Sequence, residues 1–177
     1  MLLSELLTPD LVILDLKART KRDIIAEMVD LFVQSGIVTD KEKFIEMIEK
    51  REQIESTAIG GGIAIPHARS EVVKQLRVGF ARSKEGVDFD ALDRKPVHLI
   101  FMIAAPIDVR KEYLQAVAKV ARLLKSSVMR KALMDAETKE DVMRVIMDFD
   151  GVVPERVEVK TKEGRVIYKQ GEQPKGG

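Results

Sequence analysis

A chain of 177 residues has the length of one ordinary domain, enough to bury roughly two thirds of its unfolded surface without a covalent staple. With 45% hydrophobic and 33% charged residues it is neither a disordered nor a membrane composition, and a net charge of +1 offers no electrostatic case for nucleic acid. Cysteine is absent, which excludes disulfides, thiolate zinc sites and a cysteine nucleophile; no apolar run approaches the roughly 20 residues that span a bilayer, and residues 1–7 lack the basic flank of a signal peptide, so a cytoplasmic protein is expected.

Residues 11–16 (LVILDL) read as a short buried strand. Thr20, with Asp23 three positions on, predicts a helix N-cap; the helix carries Ile24, Ile25, Met28, Val29, Phe32 and Val33 on one face and stops at Gly36. Asp40 caps a second helix, with Phe44, Ile45, Met47 and Ile48 facing inward, which fades near Arg51. Between residues 56 and 66 the period breaks, and an irregular edge segment ends in the apolar piece 63–65.

Strands follow at 76–81 and 97–105; the second (VHLIFMIAA) is apolar at almost every position, the pattern of a central strand covered on both faces. Helices are expected over 109–125, 127–135 and 138–148, the first with Leu114, Val117, Val120, Ala121 and Leu124 at helical spacing. This alternation predicts an α/β fold, a mixed β-sheet sandwiched between helices in a single domain over 1–150. Residues 151–177 alternate Val157, Val159, Val166 and Tyr168 around Gly164 and read as a C-terminal β-hairpin extension, expected to cover a sheet edge or to mediate self-association as a homodimer, followed by a frayed tail.

The chemistry concentrates in GGGIAIPHAR, residues 60–69, which holds one of only two histidines. Imidazole carries a phosphoryl group reversibly near neutral pH, because its ordinary pKa of about 6.5 leaves a neutral nucleophilic nitrogen. A phosphoryl group on His67 needs donors, and Arg51, Thr57 and the N–H groups of Gly60, Gly61 and Gly62 all lie just upstream. Pro66 fixes the backbone ahead of the ring. The glycines lack the GK[ST] ending of a nucleotide-binding loop, so a protein donor suits the site better than bound ATP. On residue chemistry alone, a loop histidine held by hydrogen bonds accounts for the pattern as well as a nucleophile does.

The run REQIESTAIGGGIAIPHA (51–68) resembles the active-site signature of the enzyme IIA components of the bacterial phosphotransferase system, in the fructose/mannitol type that includes the nitrogen-regulatory IIA proteins. FDALDRKPVHLIFMIAAP (89–106) and LQAVAKVARLL (from Leu114) resemble two further blocks of that family, so the likeness covers about 1–150. It implies that His67 accepts a phosphoryl group on Nε2 from the histidine phosphocarrier protein and passes it to a IIB domain, with Arg51 pairing with phosphate oxygens and Thr57 donating from nearby. It implies no metal and no cofactor, and any transporter is expected to be a separate polypeptide. Many members carry a second histidine where this chain has Tyr113, and a phenol supplies a hydroxyl but no cationic form near neutrality. That departure, with the tail, favours a second reading: a regulatory module whose phosphorylation state controls a partner protein. His98 reads as a strand-end histidine satisfied by a polar neighbour, Asp88, Asp90 and Asp93 as turn residues, and Met28, Met47 and Met102 as core filling.

Overall fold

The computed structural model describes residues 1–151, so the expected hairpin lies outside the described residues. The chain runs α1 (Leu3–Leu6), β1 (Val12–Ile13), α2 (Lys21–Gln34), α3 (Lys41–Ile54), β2 (Ile63–Ala64), β3 (His67–Arg69), β4 (Arg77–Val87), β5 (Val97–Ala105), α4 (Arg110–Lys125), α5 (Ser127–Asp135) and α6 (Lys139–Asp150). The sheet is mixed: β1 pairs parallel with β4, β4 antiparallel with β5, and β2 and β3 both run parallel along the other edge of β5.

The near-continuous apolar run of β5 is explained by this central place. Leu99, Phe101, Ile103 and Ala105 face a core shared with α1, α4, α5 and α6, while Ile100, Met102 and Ala104 face α2 and α3. Helices therefore cover both faces, as the α/β reading anticipates. Two caps fall on the residues that the pattern marked, Thr20 accepting from Asp23 N–H and Asp40 from Lys43 N–H; Thr138, where the pattern only begins a helix, forms a reciprocal capping box with Asp141.

Several boundaries differ from the sequence reading. Pro9 opens a 3-10 turn through Leu11, and only Val12 and Ile13 enter the ladder, opposite Phe80 and Ala81. β4 continues past Ala81 to Val87, because pairing with β5 carries its polar end. That end is irregular: Gly86 sits at φ +89°, and a Cβ there would lie 2.6 Å from that of Pro96. α3 runs on to Ile54. On α4 the buried face is Tyr113, Ala116, Val120, Leu123 and Leu124, whereas Leu114 is exposed, as is Val33 on α2. His98 is held as expected, its Nδ1 2.9 Å from the Ser83 carbonyl oxygen.

One buried charge has no precedent in the sequence reading. Arg82 is 2% exposed, in the interior of β4. Its Nε donates to Leu14 O at 3.1 Å, and its Nη1 to the carbonyls of Leu133 (3.0 Å), Met134 (3.2 Å) and Ala136 (2.5 Å). The guanidinium thus closes the C-terminal end of α5, where helical carbonyls have no intrahelical partner, and ties it to the β1 segment. Replacing Arg82 by Ala strands these acceptors at about 1–3 kcal/mol each in the worst case, so a loss on the order of 3 kcal/mol is expected as a lowered urea midpoint.

Candidate functional site

The outer edge of β5 is covered by one strand broken in two. β2 pairs Ile63 with Leu99, β3 pairs His67 with Ile103, and Ile65 and Pro66 bridge the gap. Proline lacks an N–H and is tolerated on such an edge; its carbonyl still accepts Ile103 N–H at 3.0 Å. The break turns the Ile65 carbonyl back onto the His67 ring, where it lies 2.6 Å from Nδ1.

A carbonyl oxygen only accepts, so Nδ1 carries the proton and Nε2 is left with its lone pair. Burial pushes the His67 pKa below the ordinary histidine value, and Arg51 pushes the same way, against the Ile65 carbonyl and the Glu52 carboxylate. The ring is therefore neutral at neutral pH. It is half-buried, and it lines an open depression of about 480 Å³ shared with Met47, Lys50, Arg51, Ile54, Arg69, Arg110, Tyr113 and Leu114.

Tyr113, in the first turn of α4, packs against the imidazole with ring centroids 5.7 Å apart and planes tilted by 52°. Burial pushes its phenol up to about 12, with Arg51 and Arg69 pulling the other way, so the hydroxyl keeps its proton. Arg69 stands two residues after His67 on β3 and so shares its face. Its guanidinium carbon is 5.7 Å from the Tyr113 ring centroid, and its Nη1 donates to Ile107 O at 2.8 Å.

Of the residues singled out in the sequence, the fold brings His67, Arg51 and Tyr113 together and sets Thr57 and Gly62 apart. Thr57 gives both its hydroxyl and its N–H to Glu52, the N–H at 3.1 Å. Gly62 faces away from His67: its carbonyl accepts from His98 and Leu99 N–H, and a Cβ on it would meet the His98 ring at 3.4 Å. Gly61 N–H goes to Asp93 Oδ2 at 3.3 Å. The triplet thus builds the bend that delivers β2 to β5. The aspartates do not converge: Asp88 accepts from Asp90 N–H and Asp93 from Lys95 N–H, each at 3.0 Å.

Sequence reasoning missed Arg69, whose signal is strand period alone, and Glu52. The Glu52 carboxylate is buried against Lys21 Nζ at 2.9 Å as well as Thr57, so it anchors the end of α3 that carries Arg51. Met47, read as core, packs partly buried against the core and also lines the depression.

Comparison with known proteins shows the family. The family described as "Phosphoenolpyruvate-dependent sugar phosphotransferase system, EIIA 2" matches residues 5–148, and the chain belongs to that family. It is 38% identical over 143 residues to the PTS system fructose-specific EIIA component of Haloferax volcanii, covering 80% of this chain and 93% of that protein. It is 38% identical over 150 residues to the fructose-specific EIIABC component of Bacillus subtilis, covering 85% of this chain but only 24% of that longer protein. Among solved structures, the nitrogen regulatory protein IIA-Ntr from Neisseria meningitidis superposes with a TM-score of 0.75 at 32% identity, covering 81% of this chain and 97% of that one. No helix among the described residues is long and apolar enough to cross a membrane.

The electrostatics of the ring predict its titration. A proton NMR titration of His67 is expected to give a midpoint below about 6.5, with the neutral ring predominant at pH 7, and Arg51→Ala is expected to move the midpoint upward because it removes a like charge.

Proposed function

We infer that the protein is a phosphoryl carrier whose acceptor is Nε2 of His67. The hydrogen bond from Nδ1 to Ile65 O carries this reading, because it leaves one nucleophilic nitrogen with its lone pair in an open depression. The lone pair attacks phosphorus, the N–P bond of the donor phosphohistidine breaks, and the donor imidazole leaves with its electron pair. The proton on Nδ1 stays where it is. As the His67 ring gains positive charge, the Ile65 carbonyl holds that N–H more strongly. Arg51 and Arg69 flank the ring and offset the charge of the phosphoryl oxygens, and the protonated Tyr113 hydroxyl is available as a neutral donor.

By the family resemblance the donor is the histidine phosphocarrier protein and the acceptor beyond His67 is a IIB domain, and the fructose-specific relatives favour sugar uptake as the purpose. All these exchanges belong to the cytoplasm. The nitrogen regulatory relative and the tyrosine at position 113 favour a second reading, in which the phosphorylated state controls a partner protein and no sugar follows.

Incubation with the phosphocarrier protein and its upstream kinase is expected to add one acid-labile phosphoryl mass to the parent and none to His67→Ala; an unmodified parent overturns both readings. Onward transfer to a IIB domain separates the carrier from the regulator. Tyr113→His restores a ring that can hold a positive charge, so the lifetime of the phosphohistidine is expected to differ between that variant and the parent, while Tyr113→Phe reports on the hydroxyl alone. Equal lifetimes in all three remove Tyr113 from the mechanism.

A further inference from the structure

The depression at His67 is charged out of proportion to the chain. In a protein of net charge +1, four cations line it (Lys50, Arg51, Arg69 and Arg110) and, among the described residues, no carboxylate does. Asp108 and Glu112 flank Arg110 in sequence without entering that lining. The four divide in two. Arg51 and Arg69 act on the buried Tyr113 phenol, and Arg69 is fastened by the Ile107 carbonyl, so this pair belongs to the phosphoryl position. Lys50 and Arg110 are exposed on the rim, at the end of α3 and the start of α4. The ion pair of Lys50 with Glu46, at 3.1 Å, joins two exposed side chains one helical turn apart and is screened by solvent.

The same depression is lined by two exposed apolar side chains, Ile54 at 80% and Leu114 at 49%, and by Met47. A patch of this kind, apolar within and charged at its border, has the anatomy of a protein interface. A second copy of the chain does not fit it, since the same cations would meet across the symmetry axis. Nucleic acid would use the cations but leave Ile54 and Leu114 without partners.

Resting on the reading of His67 as the phosphorylated residue, we propose that the protein docking over it presents carboxylates that pair with Lys50 and Arg110 around a small apolar contact covering Ile54 and Leu114. The inner arginines serve the group that moves, and the outer cations select which protein brings or removes it. Complementary charge of this kind acts chiefly on the encounter rate and weakens with salt.

The test uses two phosphoryl donors, phosphoramidate and the phosphorylated phosphocarrier protein, on the parent and on Lys50→Glu combined with Arg110→Glu. Both sites are exposed, so the circular dichroism and melting temperature should match the parent's. Phosphoramidate labelling is expected to agree within about twofold, while transfer from the protein donor falls roughly tenfold in the double variant and, in the parent, slows as ionic strength rises. Protein transfer that ignores both salt and charge reversal, with phosphoramidate labelling intact, overturns the acidic partner alone. Labelling by phosphoramidate only overturns the phosphocarrier as the protein that docks here, and the acidic docking with it. Failure of both donors on the parent overturns the His67 reading itself. Retention of the parent on single-stranded DNA at physiological salt, abolished by the double reversal, reassigns the rim to nucleic acid and also overturns the proposal.

Discussion

The hydrogen bond from His67 Nδ1 to the carbonyl of Ile65, two residues back in the chain, is the contact on which the site depends. It cannot form on a regular strand, where residues two apart point the same way and their backbone groups face neighbouring strands. It forms because Pro66 interrupts the edge partner of β5 and frees the Ile65 carbonyl from the ladder. β2 and β3 regain register with β5 on either side of the break, so the short segment between them is pinned at both ends by the most buried strand of the sheet. The tautomer, and with it the identity of the free nitrogen, thus follows from sheet topology.

Around that segment the protein spends its buried polar groups on placement. Glu52 accepts from Thr57 and pairs with Lys21, which itself lies 4.9 Å over the Phe89 ring, so the end of α3, the segment after it and the start of α2 meet at one carboxylate. Burying a carboxylate costs several kcal/mol unless its oxygens are satisfied, and here both are. Arg82 performs the matching task on the opposite side of the sheet, holding the end of α5 to the β1 segment. Neither group touches the depression. Each fixes the position of an element that does, or of the sheet beneath it.

Much of this was legible in the residues. The caps at Thr20 and Asp40 and the all-apolar β5 each rest on a local signal, and the local signal decided the structure. His67, Arg51 and Tyr113 were legible through likeness to the EIIA family. What escaped depended on partners distant in sequence. The polar end of β4 is a strand only because β5 lies beside it, and Arg82 is interior only because α5, some fifty residues later, offers it carbonyls. Thr57 and Gly62 stand close to His67 in sequence, and that proximity suggested phosphate donors. The fold uses them otherwise: the Thr57 hydroxyl and N–H are both given to Glu52, and the Gly62 carbonyl joins the bend to β5.

Tyr113 shows how this constraint reaches the chemistry. The residue is 8% exposed, lies against the imidazole and sits between two guanidiniums, yet burial outweighs both of them and the phenol stays neutral. A histidine in that place could add a third positive charge beside the phosphoryl oxygens when protonated, whereas the tyrosine adds a hydroxyl and an apolar wall. On the proposed reading the cationic work then falls to Arg51 and Arg69. Both come from elements already fixed by other contacts, Arg51 by the helix that Glu52 anchors and Arg69 by strand pairing with Ala105 and by the Ile107 carbonyl. Guanidiniums do not titrate near neutrality. On the proposed reading, the charge facing a phosphoryl group on His67 is therefore set by guanidiniums and not by a second imidazole.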